Sequence, residues 1–179
     1  MPSAFSHPAV PLAITAAAGA AAVPPRLCLA AVVASVLPDV DAFGYWAGVP
    51  YGSPFGHRGF THSLFFSALV ALACTLIGPR LGAPGWIVFL VVFLSGASHG
   101  CLDAMTTGGH GIAFFAPFSN ERYHFPWEVI RISPISVTGF FTARGWSVLK
   151  SEFRWIWIPA SLVALAGVAL RRAGEMWAR

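Results

Sequence analysis

The chain has 179 residues, of which 56% are hydrophobic and only 10% are charged, and its mean hydropathy is +0.69. Soluble domains contain about 25% charged residues, so this composition excludes an ordinary soluble enzyme and indicates a membrane protein. The net charge of +4 comes mostly from scattered arginines. They lack the clustering of a nucleic-acid-binding face, so we expect no nucleic-acid partner and expect membrane lipid to surround the chain.

Five apolar stretches predict an all-α, integral-membrane helical bundle that forms a single domain over residues 1–179. The first stretch is alanine-rich and short for a full crossing. The second is expected to end before Pro38, because the residue before a proline disfavours the helical conformation, and residues 39–59 have the composition of a loop. The expected helices cover residues 9–22, 26–37, 60–77, 85–105 and 146–170.

Residues 106–145 separate the last two predicted helices and contain many turn-forming and aromatic residues, without a long apolar run. The segment directly follows Asp103, one of the polar residues at the helix ends. We therefore predict that it forms an interfacial cap or lid over that end of the bundle.

Histidines and aspartates concentrate at the ends of the predicted helices. Asp39 and Asp41 follow the second helix, and His57 and His62 lie on either side of the start of the third. If the helices cross the membrane in alternation, these groups emerge on the same face as the end of the fourth helix. The start of the first helix lies on that face as well. The predicted metal ligands are therefore His7, Asp39, Asp41, His57, His62, His99 and Asp103.

The residue types and spacing of this set suit a divalent metal site. His99 and Asp103 are four residues apart and project from one face of a helix. Imidazole and carboxylate ligands together favour Zn²⁺, with Mn²⁺ or Fe²⁺ as alternatives. Seven candidates exceed the four ligands of a closed zinc site, so we expect one to three ions, with carboxylates that bridge ions or support ligands. Taken singly, each residue could instead be a helix cap or an interfacial polar residue.

Three of the polar residues are also predicted to act in catalysis. Asp39 and Asp41 could orient or deprotonate a water molecule, and Arg58 could bind a phosphate oxygen. Arg122 and Arg144 are weaker candidates for the same anion contact, and Thr61 is expected to cap the third helix or to support a ligand. Simpler roles stay open, namely a turn at Asp39 and headgroup anchoring at Arg58. Three further residues lack a suitable partner spacing and are not predicted as ligands: His110, His124 and Cys101.

Three motifs in this order resemble the family of bacterial membrane-bound metal-dependent hydrolases, which includes LexA-regulated inner-membrane proteins classed as hydrolases. The motifs are Leu37-Pro38-Asp39-Val40-Asp41, Gly56-His57-Arg58-Gly59-Phe60-Thr61-His62-Ser63, and Ser98-His99 followed by Asp103. A later stretch, from Phe114 to Trp127, resembles one branch of that family. Two positions depart from the family pattern, because Ala42 stands where many relatives carry histidine and His124 stands where an aromatic residue is usual.

The resemblance implies a multi-pass protein of the bacterial inner (cytoplasmic) membrane, with metal ligands among these histidines and aspartates. It also implies a distant similarity to zinc-dependent phospholipase C. Our leading hypothesis is a metal-dependent hydrolase that cleaves a phosphoester of a lipid or lipid-linked substrate. The alternatives are a metal-ion transporter, whose ligands are expected through the membrane depth, and a metal-binding membrane protein without catalysis. The membrane side that the site faces and the oligomeric state stay open.

Overall fold

The computed structural model describes residues 1–134 and 137–177. Residues 135 and 136 of the predicted lid and residues 178 and 179 of the predicted domain lie outside the described residues. Within the described part the chain is helical and contains no β-strand, which confirms the predicted all-α class. The helices, in chain order, are α1 (Ala9–Ala18), α2 (Pro25–Val36), α3 (Ala42–Trp46), α4 (Leu64–Leu76), α5 (Gly78–Leu81), α6 (Gly85–Ala104), α7 (Val137–Phe140), α8 (Ala143–Glu152) and α9 (Ile158–Trp177).

Three helical stretches are long and apolar enough to cross a membrane: Pro25–Gly44, Gly85–Ala104 and Ala143–Trp177. The apolar helices α1 and α4 are shorter. Together these stretches and helices give the five apolar helices that the sequence predicts. A full crossing requires about 20 residues, so α1 and α4 cover only part of the membrane thickness.

The second helix does not break at Pro38, contrary to the prediction from sequence. The chain passes from α2 into a 3₁₀ helix, Leu37–Asp41, and then into α3, so residues 39–46 are helical and not a loop. Pro38 lies in the first turn of the 3₁₀ helix, where its missing N–H needs no partner. This path delivers both Asp39 and Asp41 from a short, tightly wound turn.

The first and third apolar helices are shorter than predicted. α1 ends at Ala18 because Gly19 adopts a φ of 82°, which is outside the helical region. α4 begins only at Leu64, because Phe60–His62 forms a 3₁₀ turn and Ser63 is extended. The Ser63 side chain accepts a hydrogen bond from the Phe66 amide, so Ser63 caps this helix, and the prediction that Thr61 does so is wrong.

The C-terminal helix is longer than the predicted 146–170. α8 continues through a π-helical turn, Phe153–Trp157, directly into α9, and the whole stretch covers 35 residues. No residue of α9 is buried, and Leu162 and Leu165 are more than 60% exposed. An apolar outer surface of this kind fits contact with lipid chains.

α6 is the central helix of the bundle and packs against α1, α2, α4 and α5. α6 and α4 approach each other closely through small residues. A Cβ atom at Gly96 of α6 would lie 3.0 Å from the Ser67 hydroxyl on α4. α1 packs mainly against α9 with similarly close contact at Gly167 and Ala17. Close approach through small residues is the usual way in which helices associate in membranes.

The segment after α6 folds back onto the end of that helix. Ile112 and Tyr123 exchange backbone hydrogen bonds of 2.9 and 3.0 Å, and the Phe125 amide donates to the Ala104 carbonyl. Ile112, Phe114 and Ala104 form a small buried apolar cluster. This segment therefore packs against the polar end of the bundle; its function as a lid stays a prediction.

Candidate metal centre

The described structure brings the predicted ligands together from four separate parts of the chain. His7 lies just before α1, Asp39 lies in the 3₁₀ helix after α2, and His62 lies in the 3₁₀ turn before α4. His99 and Asp103 project from the last turns of α6. Four of the five side chains are fully buried, and that of Asp39 is 11% exposed.

Six potential ligand atoms from these five residues lie close together. His62 Nε2 and His99 Nε2 are 3.0 Å apart, and His99 Nε2 lies 3.4 Å from Asp39 Oδ1. His62 Nε2 and His7 Nε2 each lie 3.6 Å from a carboxylate oxygen of Asp103. Ligands bound to zinc at about 2.0–2.2 Å lie roughly 3.2–3.6 Å apart at tetrahedral angles. Three of the four separations fall within that range, and the fourth, 3.0 Å, is slightly shorter, so these atoms are spaced nearly as the ligands of a common ion are.

The two facing imidazoles present lone pairs to each other. His99 Nδ1 lies 2.8 Å from the Ser35 carbonyl oxygen, which can only accept, so His99 Nδ1 carries the proton. His62 Nδ1 lies 3.1 Å from Asp41 Oδ2, so it donates to that carboxylate. When both rings are neutral, Nε2 of each is unprotonated and can bind a metal ion. Histidines that bind metals are held in the same way, with the second ring nitrogen donating to a carbonyl or carboxylate.

Several buried polar atoms of the cluster have no hydrogen-bond partner among the described residues. They include both ring nitrogens of His7 and both carboxylate oxygens of Asp39 and of Asp103. An unsatisfied buried polar atom costs about 1–3 kcal/mol, and more when it is charged. Asp103 Oδ2 is approached by Arg58 Nε at 3.2 Å, but the other atoms are costly to bury. A cation would accept lone pairs from the carboxylate oxygens and from one ring nitrogen of His7.

The local electrostatics favour a positive charge beside His62. Burial disfavours the charged imidazole, but the neighbouring carboxylates of Asp103 and Asp41 outweigh burial and raise the pKa of His62 to about 9. His7 behaves in the opposite way, because burial and the neighbouring His99 lower its pKa to about 3. The cluster thus combines a neutral imidazole with a position that attracts a cation.

Asp41 is surrounded by groups that donate to it. Its Oδ1 lies 2.6 Å from His57 Nδ1, and its Oδ2 accepts from the Thr61 hydroxyl at 2.7 Å and from the Arg58 amide at 3.1 Å. With His62 Nδ1 also in contact, both oxygens are occupied. The arrangement favours a role for Asp41 in orienting His57 and His62; its roles as a ligand and as a base stay predictions. The alternative expectation for Thr61, support of a ligand, agrees with its contact to Asp41.

Arg58 is fully buried and points inwards. Its Nε lies 3.2 Å from Asp103 Oδ2, while its terminal nitrogens donate to the Gly108 carbonyl and the Thr106 hydroxyl. The residue adopts a φ of 65°, which is unusual for a side chain other than glycine. These contacts favour a role in holding Asp103 in place. Contact between Arg58 and a substrate phosphate stays a prediction.

His57 lies at the edge of the cluster. Its donor atoms, with those of Asp39 and His62, lie within 4.8 Å of one another, and a second such group consists of His7, His99 and Asp103. Two groups that meet in this way provide donors for one ion or for two. Arg122 does not reach the cluster but holds its loop, because it donates to the carbonyls of His57, Tyr51 and Ser53.

The residues that sequence analysis set aside as ligands lie away from these donors. His124 Nδ1 is 3.2 Å from Glu128, and the His110 ring packs against Tyr51 at 4.7 Å. Cys101 packs against the apolar cluster at the end of α6. The choice of ligands made from the sequence stays a prediction.

Sequence analysis missed Glu152, which holds the N-terminal segment that carries His7. Glu152 is 1% exposed and accepts hydrogen bonds from the Ser3 amide and from the hydroxyls of Ser3 and Ser6. Trp157 Nε1 also donates to the Ser6 hydroxyl at 3.1 Å. The only available signal was an acidic residue in an otherwise apolar or basic stretch.

Comparison with known proteins places the chain among membrane proteins. The model of the family described as YdjM inner membrane protein matches residues 1–177. The Escherichia coli (strain K12) protein named "Inner membrane protein YbcI" is 43% identical over 166 residues, which cover 91% of this chain and 95% of that protein. No solved structure matches the chain. Neither name states an activity, so hydrolysis and similarity to phospholipase C stay predictions. The chain belongs to the YdjM inner membrane protein family and is a multi-pass protein of the inner membrane.

Proposed function

We propose that the cluster of three histidines and two aspartates binds a divalent transition metal, most plausibly zinc, and that the protein is a metal-dependent hydrolase. One observation carries the metal assignment: the Nε2 atoms of His62 and His99 face each other at 3.0 Å beside the carboxylates of Asp39 and Asp103, while Nδ1 of each ring lies beside an oxygen acceptor. Neutral imidazole and carboxylate form the donor set expected for zinc. Mn²⁺ and Fe²⁺ are the alternatives for the same donor set.

The residues around the donors have distinct roles in this proposal. His7, Asp39, His62, His99 and Asp103 hold the ion, which acts as a Lewis acid and lowers the pKa of water when bound. Asp41 orients His62, the Ser35 carbonyl orients His99, and Arg58 orients Asp103. Asp39 is the most exposed of the two donor carboxylates, so it is best placed to accept a proton from an incoming water molecule.

A phosphoester of a lipid or lipid-linked molecule is the substrate class that we favour. The protein lies in the inner membrane, so its substrates reach it from the lipid–water boundary. A metal ion and nearby arginines stabilise the charge that develops on phosphoryl oxygens. The resemblance of the three motifs to membrane-bound metal-dependent hydrolases supports the same reaction type.

A metal-binding protein without catalysis is the second candidate, and the burial of the site favours it. Structural zinc sites are closed, whereas catalytic sites keep an open position. Here only the Asp39 side chain among the five donors has any exposed surface. A transporter is less well supported, because α1, α2 and α4 contain no acidic residue or histidine and the donors gather at one end of the bundle.

Metal analysis and a hydrolysis assay on one purified preparation test the proposal. We expect at least one equivalent of zinc in the native protein and loss of most of it in His62→Ala and His99→Ala. His124→Ala is the matched control, because His124 pairs with Glu128 outside the cluster and should leave the metal in place. Hydrolysis of a lipid phosphoester that follows metal content across these variants supports the enzyme. Full metal content without turnover of any lipid phosphoester favours the non-catalytic alternative, and metal flux into liposomes favours the transporter.

A further inference from the structure

A basic groove lies beside α8, apart from the metal donors. Two adjoining cavities of about 360 and 470 Å³ share Arg131 and Ser147 as lining residues. The first is also lined by Arg144, and the second by Lys150 and Arg154. The Arg131 amide donates to the Ser151 hydroxyl at 2.9 Å, which ties the segment before α7 to α8. We call these cavities together the basic groove.

The positive charge of the basic groove has no acidic partner among the described residues. Within residues 1–134 and 137–177, no carboxylate forms an ion pair with Arg131, Arg144, Lys150 or Arg154. Glu152, the acidic residue of α8, is buried and bonded to serines of the N-terminal segment. Four cations without an acidic partner in the described part of the chain suit the binding of a phosphate group.

Tryptophans mark the depth at which the basic groove lies. Lys150 Nζ lies 5.4 Å from the centre of the Trp146 ring, and the Arg154 guanidinium lies 5.2 Å from the centre of the Trp155 ring. Tryptophan and basic residues are enriched together at the membrane–water interface. The stretch from α8 to α9 therefore enters the membrane here, and the groove lies at the level of the lipid headgroups.

An apolar cleft continues from the basic groove towards the membrane interior. It has a volume of about 240 Å³ and lies between α1, α6 and α9. Trp155 lines both the cleft and the second cavity of the groove. The remaining lining is apolar and includes Val10, Ile14, Leu102, Pro159 and Val163.

We propose that this site binds one molecule of an anionic phospholipid, with its phosphate in the basic groove and an acyl chain in the apolar cleft. Along the stretch from α8 to α9 the surface is first charged, then aromatic and then apolar. A phospholipid has its charged headgroup, its interfacial region and its acyl chains in the same order. Basic pockets between transmembrane helices are known to bind anionic headgroups. A soluble anion such as inorganic phosphate would bind in the basic groove but would not occupy the apolar cleft. Binding at this site does not depend on turnover at the metal centre.

Retention of lipid by the purified full-length protein tests this proposal. In a neutral detergent, titration with phosphatidylglycerol followed by native mass spectrometry should show one tightly held lipid. The variant Arg131→Gln/Lys150→Gln should bind it at least tenfold more weakly, since each basic residue near an anionic lipid contributes about fivefold. The control Arg80→Gln/Arg172→Gln removes the same charge from the exposed surface at the other end of the bundle and should bind normally.

A second pair of variants tests the apolar cleft. Val163 and Leu165 are both exposed on α9, at 56% and 66%, but only Val163 lines the cleft. Val163→Trp should weaken phosphatidylglycerol binding several-fold, and Leu165→Trp should not. Equal binding by all variants, equal binding of phosphatidylcholine, or displacement of the lipid by millimolar inorganic phosphate would overturn the proposal. These outcomes measure retention and leave the hydrolase proposal to its own assay.

Discussion

The helix α6 and the C-terminal helical stretch Ala143–Trp177 have nearly the same mean hydropathy, 1.8 and 1.6, yet they differ in how much of their surface is buried. α6 is buried along one side, packs against four other helices and carries His99 and Asp103. α9, the second part of the C-terminal stretch, has no buried residue. Hydropathy thus identifies both as membrane helices, whereas small and polar residues such as Ser95 and Gly96 distinguish the one that forms the core.

We expect the largest difference in stability and metal content when an acidic residue of each helix is replaced. Asp103→Asn on α6 removes the charged partner of buried Arg58 and a proposed metal ligand, so we expect destabilisation by about 3–5 kcal/mol and loss of metal. Glu175→Gln on α9 alters an exposed residue and should change neither property. Thermal unfolding in detergent and elemental analysis measure both effects. Similar behaviour of the two variants would contradict the contrast between α6 and α9.

The pH dependence of the metal-free protein tests the electrostatics that α6 imposes on His62. The folded pKa of about 9 exceeds the unfolded value of 6.5, so protonated His62 stabilises the fold fully below pH 6.5. This contribution is lost as the pH rises through 9, and it amounts to about 3 kcal/mol at 1.36 kcal/mol per pKa unit. His7, with its pKa lowered to about 3, makes the protein less stable as the pH falls below 6.5.

We therefore expect the Tm of the metal-stripped protein to be highest near pH 6.5 and to fall towards pH 9. Zinc should remove the alkaline decrease, because metal replaces the proton that His62 loses. The comparison requires Tm measurements with zinc and with a chelator over the same pH range. An alkaline decrease of the same size in both samples would assign the effect to another group.

Two glycines, one on α6 and one on α9, test whether α6 is more tightly packed than α9. A Cβ atom at Gly96 of α6 would meet the Ser67 hydroxyl at 3.0 Å, whereas at Gly174 of α9 it would meet nothing within 4 Å. Gly96→Ala should destabilise the protein by about 1–3 kcal/mol through overpacking. Gly174→Ala should be neutral or stabilising by up to about 1 kcal/mol, since alanine favours the helix. Thermal unfolding of the two variants decides whether α6 is the more tightly packed helix.

The smallest predicted effect is on zinc affinity, and it concerns a hydrogen bond from outside α6 that helps to orient the proposed ligands. Thr61 donates to Asp41, which in turn accepts from His62, the ring that faces His99. Thr61→Val should weaken zinc affinity by about tenfold, at the lower end of the range for such supporting contacts. Thr75→Val is the control, because Thr75 bonds only to a carbonyl of its own helix in the described structure. Competition with a zinc chelator measures both affinities.

The convergence of the ligands could be predicted from sequence because it depends only on alternation of apolar helices. Asp39, His62 and Asp103 each lie at a helix end, and consecutive crossings place those ends together. The helix limits were less predictable. Pro38 is accommodated by a 3₁₀ turn, and Ser63 caps α4, so the ends depend on local hydrogen bonds that residue type alone does not specify.

The roles of individual site residues were harder to predict than their location. Arg58 has a left-handed backbone conformation and its side chain contacts Asp103. No sequence pattern predicts this conformation. Glu152 reaches Ser3 and Ser6 across about 150 positions of the chain. Such contacts depend on tertiary packing and become visible only when the helices are placed.

X-ray absorption at the zinc edge of the purified protein tests the central claim most directly. The structure predicts a first shell of nitrogen and oxygen atoms at about 2.0–2.2 Å, with scattering from several imidazole rings. His99→Ala should reduce the imidazole contribution, and His124→Ala should leave it unchanged. Protein without bound metal after purification in the presence of zinc, or a shell with sulfur at about 2.3 Å, would contradict a site built from His7, Asp39, His62, His99 and Asp103.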